Sequence, residues 1–244
     1  MSVAAVITAG GRVGDEFADA IGTEIKALAR IGNSSLLEKA ISALRECGIE
    51  RIAVVGGPEV RAACDREIAV IEETPDGAEN ARRALHSWDE RETLLYLTSD
   101  MPFITGSALR AFLECVPPQT LALPLTEWRD FAARFPDAPP FGITLAGERV
   151  VNGGAFLVPA PAKTRVEALA MQLFNARKEP WRMARIAGPR LLLRFAFKRL
   201  DVKSLEARAR GLIGANALAV RGAPAELAYD VDTLAEYRYA CAQA

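Results

Sequence analysis

A glycine pair, a lysine and an aspartate are the residues whose types and positions in this chain suit chemistry on an anion. An apolar run, Val3-Ala4-Ala5-Val6-Ile7, leads through Thr8-Ala9 into Gly10-Gly11. A buried strand that empties into paired glycines leaves backbone N–H groups that can converge on a phosphate, because no Cβ stands in the way. Arg12 and Lys26 bracket the loop that follows and could add positive charge to an anion held there. The plain alternative is a strand, a tight turn and one solvated lysine. The acid, Asp100, closes the apolar run Thr93-Leu94-Leu95-Tyr96-Leu97-Thr98-Ser99, and Pro102 stops that strand from continuing. Ligands of open α/β sheets sit beyond the carboxyl ends of the strands, so Asp100 is expected on the same edge as Gly10 and Gly11. Thr105 can cap the next helix, which leaves Asp100 for other work. Asp230 and Asp232 precede the last helix, where Asp232 or Thr233 would serve as cap, so a local structural role is their simplest account. Asn152-Gly153-Gly154 interrupts the run 149–158, as a bulge or a close backbone approach to a ligand would. A hairpin turn is the other reading, and spacing alone favours it.

Composition narrows the classes. Half of the 244 residues are hydrophobic and a quarter are charged, a soluble globular profile with enough material for a sizeable core. Lys plus Arg number 30 against 31 acids, so bulk charge names no partner. The four cysteines are scattered, which suits reduced thiols in a cytoplasm better than a disulfide frame. A single histidine, His86, argues against His-rich metal sites and against Ser-His-Asp or Cys-His catalysis. With the first strand beginning so early no signal peptide is expected, and no apolar run is long enough to span a bilayer.

The elements that would position these residues read as alternating strands and helices. Ser35 and Glu38 have capping-box spacing, Leu37, Ala40, Ile41 and Leu44 share a helical face, and Gly48 suits the C-terminal stop. Strands are expected at 51–57 and 68–71, the first parallel to the N-terminal strand across a βαβ crossover. Asp76 would cap a helix bearing Ala81, Ala84, Leu85 and Trp88. Residues 121–125 read as a strand, 126–140 as a loop, and 142–145 with 149–158 as two further strands. Eleven Lys or Arg stand against three acids in 177–210, a net +8. There Arg190, Arg194 and Lys198 recur at helical spacing beside Leu191-Leu192-Leu193, Phe195 and Phe197. A membrane surface or an acidic partner is one reading; the wet side of a helix packed on its own core is the favoured one. No nucleic-acid motif accompanies it, and no nucleic-acid partner is expected.

Taken as an ordered set, Ala9-Gly10-Gly11, Lys26-Ala27-Leu28, Asp100-Met101-Pro102-Phe103, Asn152-Gly153-Gly154 and Asp230-Val231-Asp232-Thr233 resemble the MobA-like nucleotidyltransferases. The resemblance implies an α/β fold, a three-layer αβα sandwich with a Rossmann-like, mostly parallel sheet of GT-A type. It implies one domain over 1–244, with the basic helical segment at about 160–213 inserted before the C-terminal strand and helix. The implied reaction is attack by an acceptor on the α-phosphate of a nucleoside triphosphate, CTP or GTP, with release of pyrophosphate. Carried onto this chain, Ala9, Gly10, Gly11 and Lys26 would bind the nucleotide, with Lys26 and Arg12 as the catalytic cations. Asp100 and Asp232 would bind Mg²⁺, and Asn152, Gly153 and Gly154 would line the acceptor side. Base contacts would come from Ala9, Gly10 and the turn 74–80. Such chemistry needs charge neutralisation and in-line positioning more than a side-chain nucleophile. Where relatives continue Ser/Thr-x-Arg-Met-Gly, this chain has Arg12-Val13-Gly14-Asp15-Glu16, and Asp15, Glu16, Asp19 and Glu24 load the loop with acid. An outward fold of that loop would leave Lys26 as the only side-chain phosphate contact.

Two rivals remain open. Asp230-Val231-Asp232 has the Asp-x-Asp form of a GT-A glycosyltransferase using a nucleotide sugar, although it lies at the far C-terminus. A non-catalytic nucleotide-binding protein would account for the acidic loop and the basic stretch.

Overall fold

A computed structural model of the chain describes residues 3–176 and 179–244. The first half runs β1 (Val3–Thr8), α1 (Asp15–Ile21), a small ribbon of β2 (Arg30–Ile31) and β3 (Ser34–Ser35), α2 (Leu36–Glu46), β4 (Ile52–Gly56), α3 (Pro58–Ala63), β5 (Ala69–Glu72), α4 (Gly77–Leu85) and β6 (Thr93–Thr98). The apolar runs separated by helices become parallel neighbours in the order β5-β4-β1-β6. β1 and β4 are apolar on both faces because both faces are covered. Ala5 and Ile7 pack with Leu37, Leu44, Leu109 and Phe112, while Val6 packs oppositely with Ala84 and Leu85. The result is the three-layer sandwich. Helix α2 starts on the complete Ser35–Glu38 capping box, and Gly48 beyond its end adopts φ +86°.

The second half contains α5 (Gly106–Glu114), β7 (Thr120–Glu127), α6 (Trp128–Arg134), β8 (Ile143–Leu145), β9 (Glu148–Asn152), β10 (Ala155–Val158), α7 (Lys163–Ala176), α8 (Pro180–Ala187), α9 (Pro189–Ala196), α10 (Val202–Ile213), β11 (Asn216–Arg221) and α11 (Leu234–Ala242). Thr105 caps α5 by accepting from the Ala108 amide at 3.1 Å. Here the sheet becomes mixed: β10 runs antiparallel between β6 and β7, β8 and β9 form an antiparallel edge, and β11 pairs parallel with β7.

Three expectations are corrected. Residues 128–134 are helical rather than loop, because Phe131 and Phe135 sit one turn apart and plug an aromatic cluster with Phe103, Phe141 and Tyr229. The prolines that suggested a loop begin only at Pro136. The Asn152-Gly153-Gly154 interruption is a bulge and not a hairpin. With β11 paired along one side of β7, β9 and β10 both run antiparallel along its other side, Asn152 opposite Leu125 and Leu157 opposite Ala122. Gly153 and Gly154 are the two extra residues. Finally, α9 is not packed along its length: Leu191 is its one buried residue, and Lys198 lies beyond the helix end at φ +54°. Arg177 and Lys178, counted in the basic stretch, lie outside the described residues.

Candidate active site

The site is built where β1 and β6 end. Ala9 still donates to Val55 O at 2.8 Å, so the chain leaves the sheet at Gly10. Any side chain at Gly10 would collide with the carboxylate of Glu73, which also lies 2.9 Å from the Cβ position of Gly57. Arg12 turns back toward this flank and donates to Gly10 O at 2.9 Å and to Glu73 Oε1 at 2.5 Å. Gly11, by contrast, is exposed, and its Cβ position meets only the Lys26 side chain, at 3.6 Å from Cε.

The excursion from Gly11 to Lys26 is pinched at its base. Val13 donates to Glu24 O and Lys26 to Gly11 O, each at 2.9 Å, with Arg12 and Ile25 bridged antiparallel between them. Fifteen residues of sequence thus collapse to one hydrogen bond, and Lys26 returns beside the glycine. Helix α1 crowns the excursion with Asp15, Glu16 and Asp19 exposed, while Phe17 anchors it on Tyr237 at a centroid distance of 5.5 Å. The acids of this loop therefore point to solvent on an outward stalk.

Lys26 Nζ donates to Asp100 Oδ2 at 2.7 Å and to Asp232 Oδ1 at 2.6 Å. Two backbone devices bring these acids together. Val231 donates to Asp100 O at 3.0 Å, which sets the 230–232 segment alongside the end of β6. The Thr233–Glu236 capping box of α11 then fixes the next residues, and Glu236 Oε2 also accepts from the Asp232 amide at 2.7 Å. Asp100 is largely covered at 15% side-chain exposure, while Asp232 is open at 64%.

The bulge locks this arrangement from below. Thr98 donates to Gly154 O at 2.9 Å, Gly154 to Leu227 O at 3.1 Å and Gly153 to Pro124 O at 3.0 Å. A Cβ at Gly153 would strike Leu227 O and lie 2.6 Å from Pro124, and one at Gly154 would strike Thr98 Oγ1 and lie 3.1 Å from Met101 Sδ. Protein therefore fills the space beside both glycines, and of this triplet Asn152 alone is exposed.

The electrostatics favour a cation. Burial acts to lower the Lys26 pKa, but attraction and hydrogen bonds from Asp100, then Asp232, outweigh it and hold the lysine above its ordinary value. Asp230, half-buried beside them, is pushed up to about 7 by burial first, then by the field of Asp100, Asp232 and Glu236, with Lys26 opposing. One lysine against these carboxylates leaves the rim net negative, which repels a polyphosphate unless another cation is present. Asp100 Oδ1 is buried without a hydrogen-bond partner, the state of an acceptor awaiting a ligand. Among the described residues no three His, Cys, Asp or Glu side chains form a complete metal shell. Asp100 and Asp232 suit a hard divalent ion, which binds through one or two carboxylates and completes its coordination with water and phosphate oxygens.

Lys26, Asp100, Asp232 and Gly11 thus come together at one rim, while Arg12 and Gly10 face Glu73 on the other flank and Asn152 sits at the bulge. Glu73 is not singled out by the sequence, and Asp230, read there as having a local structural role, stands beside the rim in the fold. The end of a parallel strand was the available signal for Glu73, and the alternation with Asp232 was that for Asp230.

Residues 5–135 match the family model described as the MobA-like NTP transferase domain. The whole fold is similar to that of a hypothetical transferase from Thermus thermophilus, 26% identical over 97% of this chain and 100% of that one, with a TM-score of 0.83. A Mycobacterium tuberculosis protein crystallised with manganese is 18% identical over 100% of both chains, TM-score 0.57. The 2-C-methyl-D-erythritol 4-phosphate cytidylyltransferase of Thermus thermophilus is 17% identical over 100% of this chain and 98% of its own, TM-score 0.56. At such identities the last two establish likeness of fold. No curated protein matches the chain in sequence.

Proposed function

The chain belongs to the MobA-like NTP transferase domain family and is a nucleotidyltransferase of that family, and on this premise we propose how its own residues work. It transfers a nucleoside monophosphate group from CTP or GTP to a phosphate or hydroxyl oxygen of a small acceptor. The acceptor oxygen bonds to the α-phosphorus, the bond from that phosphorus to the α,β-bridging oxygen breaks, pyrophosphate leaves with the electron pair, and the proton of a hydroxyl acceptor passes to solvent. The observation that carries the reading is the meeting of Lys26 with Asp100 and Asp232 at 2.7 and 2.6 Å beside an open Gly11.

Gly11 and Lys26 form the phosphate-facing flank, because the Glu73 carboxylate against Gly10 repels phosphate from the other. The nucleoside lies toward Ala9, Gly10 and the turn after β5, where Asn80 accepts from the Thr74 amide at 2.7 Å and donates to Thr74 O at 2.8 Å. Lys26 neutralises charge that grows on the leaving phosphates, and Arg12 joins it only after leaving Glu73. Asp100 and Asp232 would hold Mg²⁺, which when bound supplies neutralisation of the polyphosphate charge. The manganese-bound mycobacterial relative and the cytidylyltransferase support the metal and the nucleotide class. Asn152 faces the acceptor side, and Gly153 and Gly154 serve it by holding the bulge. The four free cysteines fit a reducing cytoplasm.

The test mixes the purified chain and Mg²⁺ with each of the four nucleoside triphosphates and a panel of phosphorylated and hydroxyl acceptors, and measures pyrophosphate. Release that requires both substrates supports the reading. Consumption of a nucleotide sugar without pyrophosphate would replace it with glycosyl transfer. Asp100→Asn should raise the metal concentration needed for half-maximal activity by at least about 10- to 100-fold, the loss typical of even an outer-shell partner, and an unchanged metal titration would remove Asp100 from the metal site.

A further inference from the structure

Six of the eight large hydrophobic side chains that stand exposed among the described residues fall between positions 181 and 197: Trp181, Met183, Leu192, Leu193, Phe195 and Phe197. Phe195 and Phe197 are 71% and 70% exposed, Leu193 59% and Trp181 55%. Folding does not explain these residues. Leu191 alone turns α9 toward protein, and Leu193, two residues further, projects from the opposite side of the helix. Apolar side chains gathered on a surface and rimmed by polar groups mark an interaction site, and these six fall within one short stretch whose two helices adjoin.

Its charge identifies the partner. Residues 180–200 hold six cations and no acid. The flanking acids take two of them, Glu179 pairing with Arg182 at 2.9 Å and Asp201 with Arg194 at 3.1 Å. Arg185, Arg190, Lys198 and Arg199 pair with no carboxylate among the described residues. Arg182 and Arg185 also lie over the Trp181 ring, each 5.2 Å from its centroid, so this aromatic is bordered by two guanidinium groups. A second copy of the chain would bring like charges against these unpaired cations, which costs affinity. An apolar interior bounded by a sheet of negative charge satisfies both halves of the surface, and tryptophan, phenylalanine and arginine are suited to that boundary.

We propose that α8 and α9 form a reversible docking face for an anionic lipid surface. The apolar side chains enter the headgroup–acyl boundary, and the unpaired cations meet the lipid phosphates. No helix among the described residues is long and apolar enough to cross a membrane, so the attachment is peripheral. The inference is independent of the catalytic assignment, since none of its residues belongs to the Lys26 rim.

The full chain is sedimented with vesicles of phosphatidylcholine alone and with vesicles of mixed phosphatidylcholine and phosphatidylglycerol. Binding to the mixed vesicles only, weakening as salt screens the charge, is the expected result. Phe195→Ser with Phe197→Ser should lower the partition coefficient by about tenfold or more, and Arg190→Gln or Lys198→Gln by about fivefold each. Failure of the unmodified chain to bind mixed vesicles at low salt overturns the proposal, as does equal binding to pure phosphatidylcholine. Tight binding to single-stranded RNA, or a dimer abolished by the Phe195→Ser, Phe197→Ser variant, with no vesicle partition, would assign the face to another partner and overturn it too. The lipid and salt comparisons use the unmodified chain, so they stand even where a variant misfolds.

Discussion

Lys26, Asp100 and Asp232 form one hydrogen-bonded group, and the backbones around them are tied to the bulge and to the α11 cap. Across α8, α9 and the turn that follows them six large apolar side chains face outward, and Arg185, Arg190, Lys198 and Arg199 have no carboxylate partner among the described residues. The contrast follows from what each group needs. A half-buried charge is costly unless paired, so the rim draws its partners from residues as far apart as 206 positions. An exposed phenylalanine imposes no such demand on the fold, and its partner has to come from outside. The rim is therefore sensitive to single atoms, whereas the α8–α9 surface is expected to tolerate substitution as long as nothing is docked on it.

The sharpest test of that contrast is Lys26→Ala. Removing a cation aimed at developing charge should lower kcat/KM for pyrophosphate release by about 10²- to 10³-fold, the range seen for single oxyanion donors. Turnover near that of the unmodified chain would place Lys26 outside the chemistry. Gly154→Ala probes the support beneath the rim. Its methyl group would strike Thr98 Oγ1 and crowd Met101, so urea unfolding should show a loss of about 1–3 kcal/mol, with activity falling alongside.

Asp230 predicts a pH effect. Its carboxyl is pushed up to about 7 in the folded chain, chiefly by burial, above the ordinary unfolded value of about 3.9. The folded state then binds this proton more tightly than the unfolded state does. Its contribution is fully present below about pH 4 and is lost as pH rises through about 7, with a slope of at most about 1.4 kcal/mol per pH unit. Thermal melts of the metal-free protein across this window should therefore show a shallower decline for Asp230→Asn. An identical decline would mean that Asp230 does not titrate there. The smallest effect belongs to Phe195→Ser, which should leave stability within about 0.5 kcal/mol and solution turnover unchanged. A large loss of stability would show that this side chain is packed after all and would erase the contrast.

Much of the scaffold was legible from short stretches. The apolar runs at 3–7 and 93–98, the Ser35–Glu38 box and the Thr105 cap all depend on neighbours within a few residues and formed as read, and of the two caps offered for α11 the structure uses Thr233. The β6 strand end also placed Asp100 on the edge that carries the glycines, because parallel strands all end on one side. Helix α6 is not legible in the sequence because the proline-rich stretch behind it masks two phenylalanines one turn apart.

By itself, then, the sequence determined most of the strands and caps, the alternation that makes a layered α/β sheet, and the residues proposed to face a polyphosphate. Tertiary structure decided which of those residues meet. Asp232 could be either a cap or a partner until the amide of Val231 met the carbonyl of Asp100 and α11 took its cap from Thr233. Gly153 and Gly154 could form a turn or a bulge until β11 occupied one side of β7 and left both halves of the interrupted strand to share the other. Hydrogen bonds of local geometry can be read along the chain, but which strand ends meet depends on the spatial order of the strands in the sheet, and that order follows from burial over the whole molecule.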